Sequence, residues 1–162
     1  MTGFTHESSA ATVPVEWYTP PEIFDALNIT FDLDPCHPNT PTCVPAHNKI
    51  SLPQDGLTAH WYGNIWLNPP YGKQTRHWLE RLTQHNEGIA LVFARTDARW
   101  FQHQLNHATA ICFIAGRVKF IDGKTGKQPD NAGAGSALIA YGQHNAQALH
   151  HSNLGTTITL KP

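Results

Sequence analysis

Apolar residues recur along this chain in two rhythms, and their alternation predicts a layered fold. Residues 88–94 form a continuous apolar run, as expected of a strand buried on both faces, and residues 110–115 form another. Shorter strands are expected at 29–33, 63–67, 136–141 and 156–160. Between them, residues 73–86 place Trp78, Leu79 and Leu82 on one helical face, and residues 97–106 do the same with Trp100, Phe101 and Leu105. Near the start, Thr19 followed by Glu22 reads as a capping box with Pro20 at the first helical turn. That helix extends through about Leu27 and buries Ile23, Phe24 and Leu27. Strands alternating with helices imply an α/β fold with a mostly parallel sheet and right-handed crossovers.

The polar stretches set the organisation. Residues 1–15 lack periodicity and read as a flexible arm, leaving 16–162 as a single domain. Residues 36–60 read as a long loop with at most one short helix, and so long a loop in a small domain usually has a function or is disordered. Residues 116–121 alternate basic and apolar positions, and 122–135 are polar and glycine-rich, the composition of a mobile loop. No run is long and apolar enough for a membrane span, and no signal peptide is visible. The three cysteines form no disulfide framework, which favours a reducing compartment.

The net charge of -1 hides an asymmetry. Residues 1–72 carry a single cation, Lys49, against seven acids and sum to -6, whereas 73–162 sum to +5. A surface built from the second half would attract a polyanion; charges scattered over a solvated surface are the alternative. The eleven histidines add positive charge only below about pH 6.5.

The sharpest chemical signal is Asn68-Pro69-Pro70-Tyr71, directly after an apolar strand and before an amphipathic helix. In open α/β sheets ligands bind beyond the carboxyl ends of strands. An aromatic amine is a poor nucleophile because its lone pair is delocalised into the ring. Two acceptors holding both N–H groups turn that lone pair outward, and the Asn68 side-chain oxygen and the Pro69 carbonyl are two such acceptors. Consecutive prolines remove two backbone donors and fix two φ angles, so the loop presents carbonyls in a stiff geometry. Tyr71 offers a face on which an extruded base can stack. Taken alone, the four residues also fit a proline-rich turn with Asn68 as a cap; their placement between strand and helix favours the chemical reading.

Further motifs follow in order: Trp17-Tyr18-Thr19-Pro20-Pro21-Glu22, Phe31-Asp32-Leu33-Asp34-Pro35-Cys36, Asp55-Gly56-Leu57, Ala94-Arg95-Thr96-Asp97, Arg117-Val118-Lys119-Phe120, Ser136-Ala137-Leu138-Ile139 and Tyr141-Gly142. Together with Asn68 to Tyr71 they make residues 16–142 resemble the phage-type Dam family of DNA adenine methyltransferases. The resemblance implies a Rossmann-like methyltransferase fold, S-adenosylmethionine as methyl donor, adenine in double-stranded DNA as substrate, and a cytoplasmic location in a bacterial host or prophage context. It implies cofactor contacts from Trp17, Tyr18, Thr19 and Pro20 and from the turn containing Asp32, Asp34, Pro35 and Cys36. Asp32 or Asp34 would meet the methionine ammonium, and Trp17 or Tyr18 would flank the sulfonium or adenine, as aromatic faces suit cations. Asp55 would accept from the cofactor's adenine amine or ribose, a plain Asp-Gly turn being the alternative. The family's glycine-rich cofactor loop is absent here, and residues 36–60 are too few for a full set of strands and helices, so a trimmed sheet is expected.

For the DNA surface the candidates are Lys73, Arg76, Arg95, Arg99, Arg117, Lys119, Lys124 and Lys127. Such contacts position DNA without reading it, which leaves base readout to loops such as 122–135. Cys36, His37, Cys43 and His47 are zinc-ligand types, but their spacing matches no common finger and no metal is assigned. Alternative readings are an RNA or protein-glutamine methyltransferase, or an inactive DNA-binding module. The sequence sets no oligomeric state.

Overall fold

A computed structural model describes residues 17–127 and 133–162. The expected arm at 1–15 and the middle of the 122–135 loop lie outside the described residues. The elements in order are β1 (Trp17–Tyr18), α1 (Pro21–Leu27), β2 (Phe31–Asp34), β3 (Ala46–Lys49), β4 (Ile65–Leu67), α2 (Thr75–His85), β5 (Gly88–Phe93), α3 (Arg99–His107), β6 (Ala110–Ile114), β7 (Ile121–Asp122), β8 (Ser136–Tyr141), α4 (Gln143–His151) and β9 (Gly155–Thr159).

Seven strands form one sheet in the order β3-β2-β4-β5-β8-β6-β9, and β1 pairs with β7 in a separate ribbon. The pairs β2–β3, β2–β4 and β4–β5 are parallel, whereas β5–β8, β6–β8 and β6–β9 are antiparallel. The expectation of a mostly parallel sheet is therefore corrected to a mixed one. The cause is β8, which returns into the gap between β5 and β6 and pairs with both from the opposite direction.

The sheet is covered on both faces. One core cluster joins Ile23, Phe24 and Leu27 of α1 and Ala146 and Leu149 of α4 to Trp66, Leu91 and Leu138. The other joins Trp78, Leu79 and Leu82 of α2 and Phe101 of α3 to Ile65, Ala90 and Ile139. Successive strand residues thus serve opposite clusters, as strand geometry requires. In α3 Phe101 and Gln104 are fully buried, and Trp100 and Leu105 pack partly buried against the same core cluster, which makes the expected core face. Gln104 is accommodated because its side-chain oxygen accepts from the Tyr141 hydroxyl and, at 3.2 Å, from Thr83 Oγ1. Burial pushes the Tyr141 hydroxyl up to about 12, keeping it protonated as a donor.

Two local expectations are corrected, one helix was not anticipated, and the start of the 122–135 loop is described. The helix α1 has Pro20, not Thr19, at its N-cap, in extended conformation and without a side-chain cap. With proline at both 20 and 21, the helix starts one residue late and Thr19 lies outside it. The 36–60 segment holds a strand and no helix: β3 pairs parallel to β2 across a short connection. Its sequence, Ala-His-Asn-Lys, lies mostly exposed at the sheet edge and so carries no apolar signature. The helix α4 had no counterpart in the sequence reading, because its buried face is Asn145, Ala146, Ala148 and Leu149. Residues 122–127 are a closed hydrogen-bonded turn: Asp122 N–H donates to Lys127 O at 2.9 Å and Gly126 N–H to Asp122 O at 2.8 Å.

Candidate active site

The carboxyl ends of β2, β4 and β5 lie side by side, and the chain leaves them as Asp34-Pro35-Cys36, Asn68-Pro69-Pro70-Tyr71 and Ala94-Arg95. This is the edge at which open α/β sheets receive ligands. The Asn68 Nδ2 group donates to the Trp17 carbonyl at 3.2 Å, which fixes which way the side-chain amide faces. Its Oδ1 is buried and, among the described residues, has no hydrogen-bond partner. A buried acceptor left unmade costs about 1–3 kcal/mol, so its natural complement is a donor brought by a ligand. Thr75 Oγ1 donates to the Pro70 carbonyl at 2.7 Å, tying the proline loop to the first turn of α2. Pro69 is buried and Pro70 exposed.

Tyr71 is 40% exposed, yet one face of its ring is already covered. It stacks on Phe93 with centroids 4.4 Å apart and planes within 18°. Phe120 meets Phe93 edge-on at 6.2 Å, and the Arg95 guanidinium lies 5.8 Å from the Phe93 centroid. Ser136 is paired with Phe93 across β5–β8, and its buried hydroxyl has no partner among the described residues. Sequence reasoning assigned Phe93 to the core alone and gave Ser136 no individual part. The available signal was an aromatic residue closing a buried strand at its carboxyl end.

The opening segment reaches the site through β1. Trp17 supplies the carbonyl that holds Asn68, and Tyr18 shares a short hydrogen bond with the Thr40 hydroxyl. Thr19 and Pro20 are buried, and Thr19 Oγ1 is without a partner among the described residues. Cys43 donates its thiol to the Thr19 carbonyl at 3.2 Å.

The two aspartates of β2 part company. Asp34 is 3% exposed at the carboxyl end, where its Oδ1 accepts the Cys36 N–H at 3.2 Å. Burial raises its pKa to about 7, against the lowering effects of that hydrogen bond and of Lys49. Burial, reinforced by Asp34, pushes the Cys36 thiol up to about 12. Asp32 instead faces the other end: its Oδ2 accepts the Asn64 N–H at 2.6 Å, beneath Gly63 at φ +63°. The N–H groups of Asp32 and Leu33 both point at the Asn64 carbonyl. This irregularity sends Phe31 and Leu33, two residues apart, into opposite core clusters. Of the two β2 aspartates expected to meet the cofactor, Asp32 has its Oδ2 committed to the turn before β4.

Asp55 is exposed, with its Oδ1 accepting the Leu57 N–H at 2.9 Å. Its neighbour Gly56 sits flush on the β2 turn: a Cβ there would lie 1.8 Å from the Pro35 carbonyl. Trp61 Nε1 donates to the Gly56 carbonyl at 2.7 Å and holds this loop against the buried Pro35.

Lys73, Arg76, Arg95, Arg99, Arg117, Lys119, Lys124 and Lys127 are all exposed. Six of them leave the carboxyl ends of β4, β5 and β6 or occupy the turn after β7; Arg76 lies in the first turn of α2 and Arg99 opens α3. Arg117 and Lys119 share a face, alternating with buried Val118 and Phe120. The four zinc-type residues are not assembled into a site. Among the described residues no group of three or more His, Cys, Asp or Glu is placed to hold a metal, and His37 bonds to Thr42 Oγ1 at 2.8 Å instead.

With this geometry in place, comparison with known proteins is informative. The family model described as DNA N-6-adenine-methyltransferase (Dam) matches residues 9–156. The DNA N-6-adenine-methyltransferase of Escherichia phage T1 is 26% identical over 151 residues, covering 76% of this chain and 60% of the relative. The chain thus spans about three-fifths of the length of that relative. No solved structure matches.

Proposed function

Because this chain belongs to the DNA N-6-adenine-methyltransferase (Dam) family, we propose that it transfers a methyl group from S-adenosylmethionine to the N6 amine of adenine in double-stranded DNA. The observation that carries this reading is the buried, partnerless Oδ1 of Asn68, held in orientation through its own Nδ2 at the end of a sheet strand. We read the mixed sheet as a trimmed Rossmann-like methyltransferase fold, with β3 joined to β2 without an intervening helix.

The residues present fit the cofactor's chemistry. Asp34 is a buried carboxylate at the carboxyl end of β2 and suits the ammonium of the methionine moiety. Trp17 and Tyr18 offer aromatic faces near the site for the sulfonium or the adenine. Thr19 contributes a buried hydroxyl with no partner. Pro35 and Cys36 shape the turn, and Asp55 stands beside it, suited to a ribose hydroxyl. When bound, S-adenosylmethionine supplies an electrophilic methyl carbon.

The chain's own residues do the rest. Asn68 Oδ1 accepts one N–H of the adenine amine and the Pro69 carbonyl accepts the other, turning the nitrogen lone pair out of the ring plane. Tyr71 supports the base on the face not covered by Phe93, and the proline pair holds the acceptors still. No side chain need act as a general base, because the alkylated nitrogen is strongly acidic and sheds its extra proton to water. Lys73, Arg76, Arg95, Arg99, Arg117 and Lys119 hold the DNA backbone around the opening, with Lys124 and Lys127 at its margin.

The test is transfer of radiolabelled methyl from S-adenosylmethionine to unmethylated duplex DNA, followed by nucleoside analysis. Label in N6-methyladenine is expected, and Asn68→Ala should lower turnover by about a hundred- to a thousandfold while cofactor binding persists. Label appearing only in RNA or in protein glutamine would overturn the substrate assignment. Near-normal turnover by Asn68→Ala would overturn the mechanism.

A further inference from the structure

The catalytic amide is oriented by a backbone carbonyl, and that carbonyl belongs to a strand whose support lies elsewhere. Trp17, which accepts from Asn68 Nδ2, pairs in antiparallel register with Asp122, and Tyr18 pairs with Ile121. Among the described residues β1 has no other strand partner. Asp122 in turn organises the residues that follow. Its Oδ1 accepts the N–H of Lys124 at 2.8 Å and of Thr125 at 3.3 Å. Its own N–H donates to the Lys127 carbonyl and its carbonyl accepts from Gly126. The side chains of Lys124 and Lys127 are left exposed on this closed turn. One residue therefore joins two exposed cations to the strand that aims Asn68.

We infer that Asp122 is a positioning residue for methyl transfer: it fixes the β1–β7 ribbon, and through the Trp17 carbonyl it holds Asn68 Oδ1 towards the substrate amine. The same turn receives a DNA phosphate through Lys124 and Lys127, so backbone binding stiffens the ribbon when the amide must be aligned. This rests on the methyltransferase reading above and adds to it a link between DNA grip and chemistry. The need for such a link is physical. An Asn amide turned over would present Nδ2, a donor, to an amine whose hydrogens need acceptors. A short two-stranded ribbon is marginal by itself, so its turn chemistry decides how well it holds.

The sign of the effect separates positioning from charge. Replacing Asp122 by Ala removes a negative charge beside two lysines, which by electrostatics alone tightens DNA binding and leaves kcat unchanged. Loss of positioning predicts the opposite for chemistry. Asp122→Ala should lower kcat at least about tenfold, as misplacement of reacting groups does. KM for DNA should stay level or fall. Asp122→Asn also lacks the charge but keeps the side-chain oxygen that accepts from Lys124 and Thr125, so it should recover most of the lost kcat.

The experiment is steady-state methylation of duplex DNA by the full chain and both variants, with cofactor Kd and melting temperature measured alongside. Wild-type kcat for Asp122→Ala, or equal loss in the Ala and Asn variants, would overturn the inference. A melting temperature lowered in both variants alike would assign Asp122 a purely structural part. If the wild-type chain itself methylates no adenine, the functional reading fails instead, which is a separate outcome.

Discussion

At the scale of single residues, burial has given Asp34 unusual properties. Its carboxyl is charged in the unfolded chain above pH 3.8, but in the folded protein it ionises only near pH 7. Between those values the native state binds the proton more tightly, so this group's contribution to stability is full below pH 3.8 and is lost as pH rises through 7. Asp34→Asn should therefore raise the melting temperature at pH 8 and flatten its dependence on pH between 5 and 8. The same substitution should weaken cofactor binding. In the wild-type chain, cofactor affinity should fall as pH drops through about 7, because only the carboxylate attracts an ammonium. Calorimetric titration across that range checks both statements; a pH-independent affinity would remove Asp34 from the cofactor site. Proximity to a strand's end could be read for Asp34 and Asp32 alike. Only the hydrogen bond from Asn64 showed that Asp32 is occupied elsewhere.

At the scale of elements, the loop carrying Asp55 illustrates what close approach does. Gly56 rests against the Pro35 carbonyl, and Trp61 clamps its own carbonyl from the other side. A methyl group at 1.8 Å cannot be absorbed by a flexible side chain, since the atom it meets is backbone. Gly56→Ala should lift this loop off the β2 turn. The expected result is a clear rise in cofactor Kd with far-UV circular dichroism close to wild type, because β2 keeps its own backbone pairing to β3 and β4. Undiminished affinity would show that the loop does not border the cofactor. The helices α2 and α3 were legible from their 3.6-residue apolar spacing; the buried Gln104 was not, because its partners Thr83 and Tyr141 come from other elements. The strand β3 and helix α4 were not legible. One is a polar edge strand, and the other buries small residues and an asparagine bonded to Asn64 and to the Tyr141 carbonyl.

At the scale of the molecule, the charge asymmetry becomes spatial. Lys49 closes the edge strand β3 beside Asp34, whereas six of the other ten cations follow β4, β5 and β6 or occupy the turn after β7. DNA affinity should fall steeply with salt, and Lys124→Ala should reduce the slope of log K against log salt by about 1. Lys49→Ala should leave the slope unchanged, since it lies on the outermost strand of the sheet beside Asp34. Filter binding across a salt series distinguishes them; equal slopes for all three proteins would move the DNA surface away from the basic turn. Among the described residues no helix is long and apolar enough to cross a membrane.

The sequence by itself determined the alternation of strands and helices, the position of Asn68 to Tyr71 at a strand's end, and the family, because periodicity and ordered motifs are local properties. Only the tertiary structure decided that β8 enters between β5 and β6, that Asp32 braces the turn before β4 while Asp34 is buried at the strand's carboxyl end, and that Trp17 aims Asn68 from 51 positions away. Those outcomes depend on which backbone groups meet across the fold. Hydrogen bonds between distant segments leave no period in the chain, and a carbonyl is the same atom whatever residue bears it.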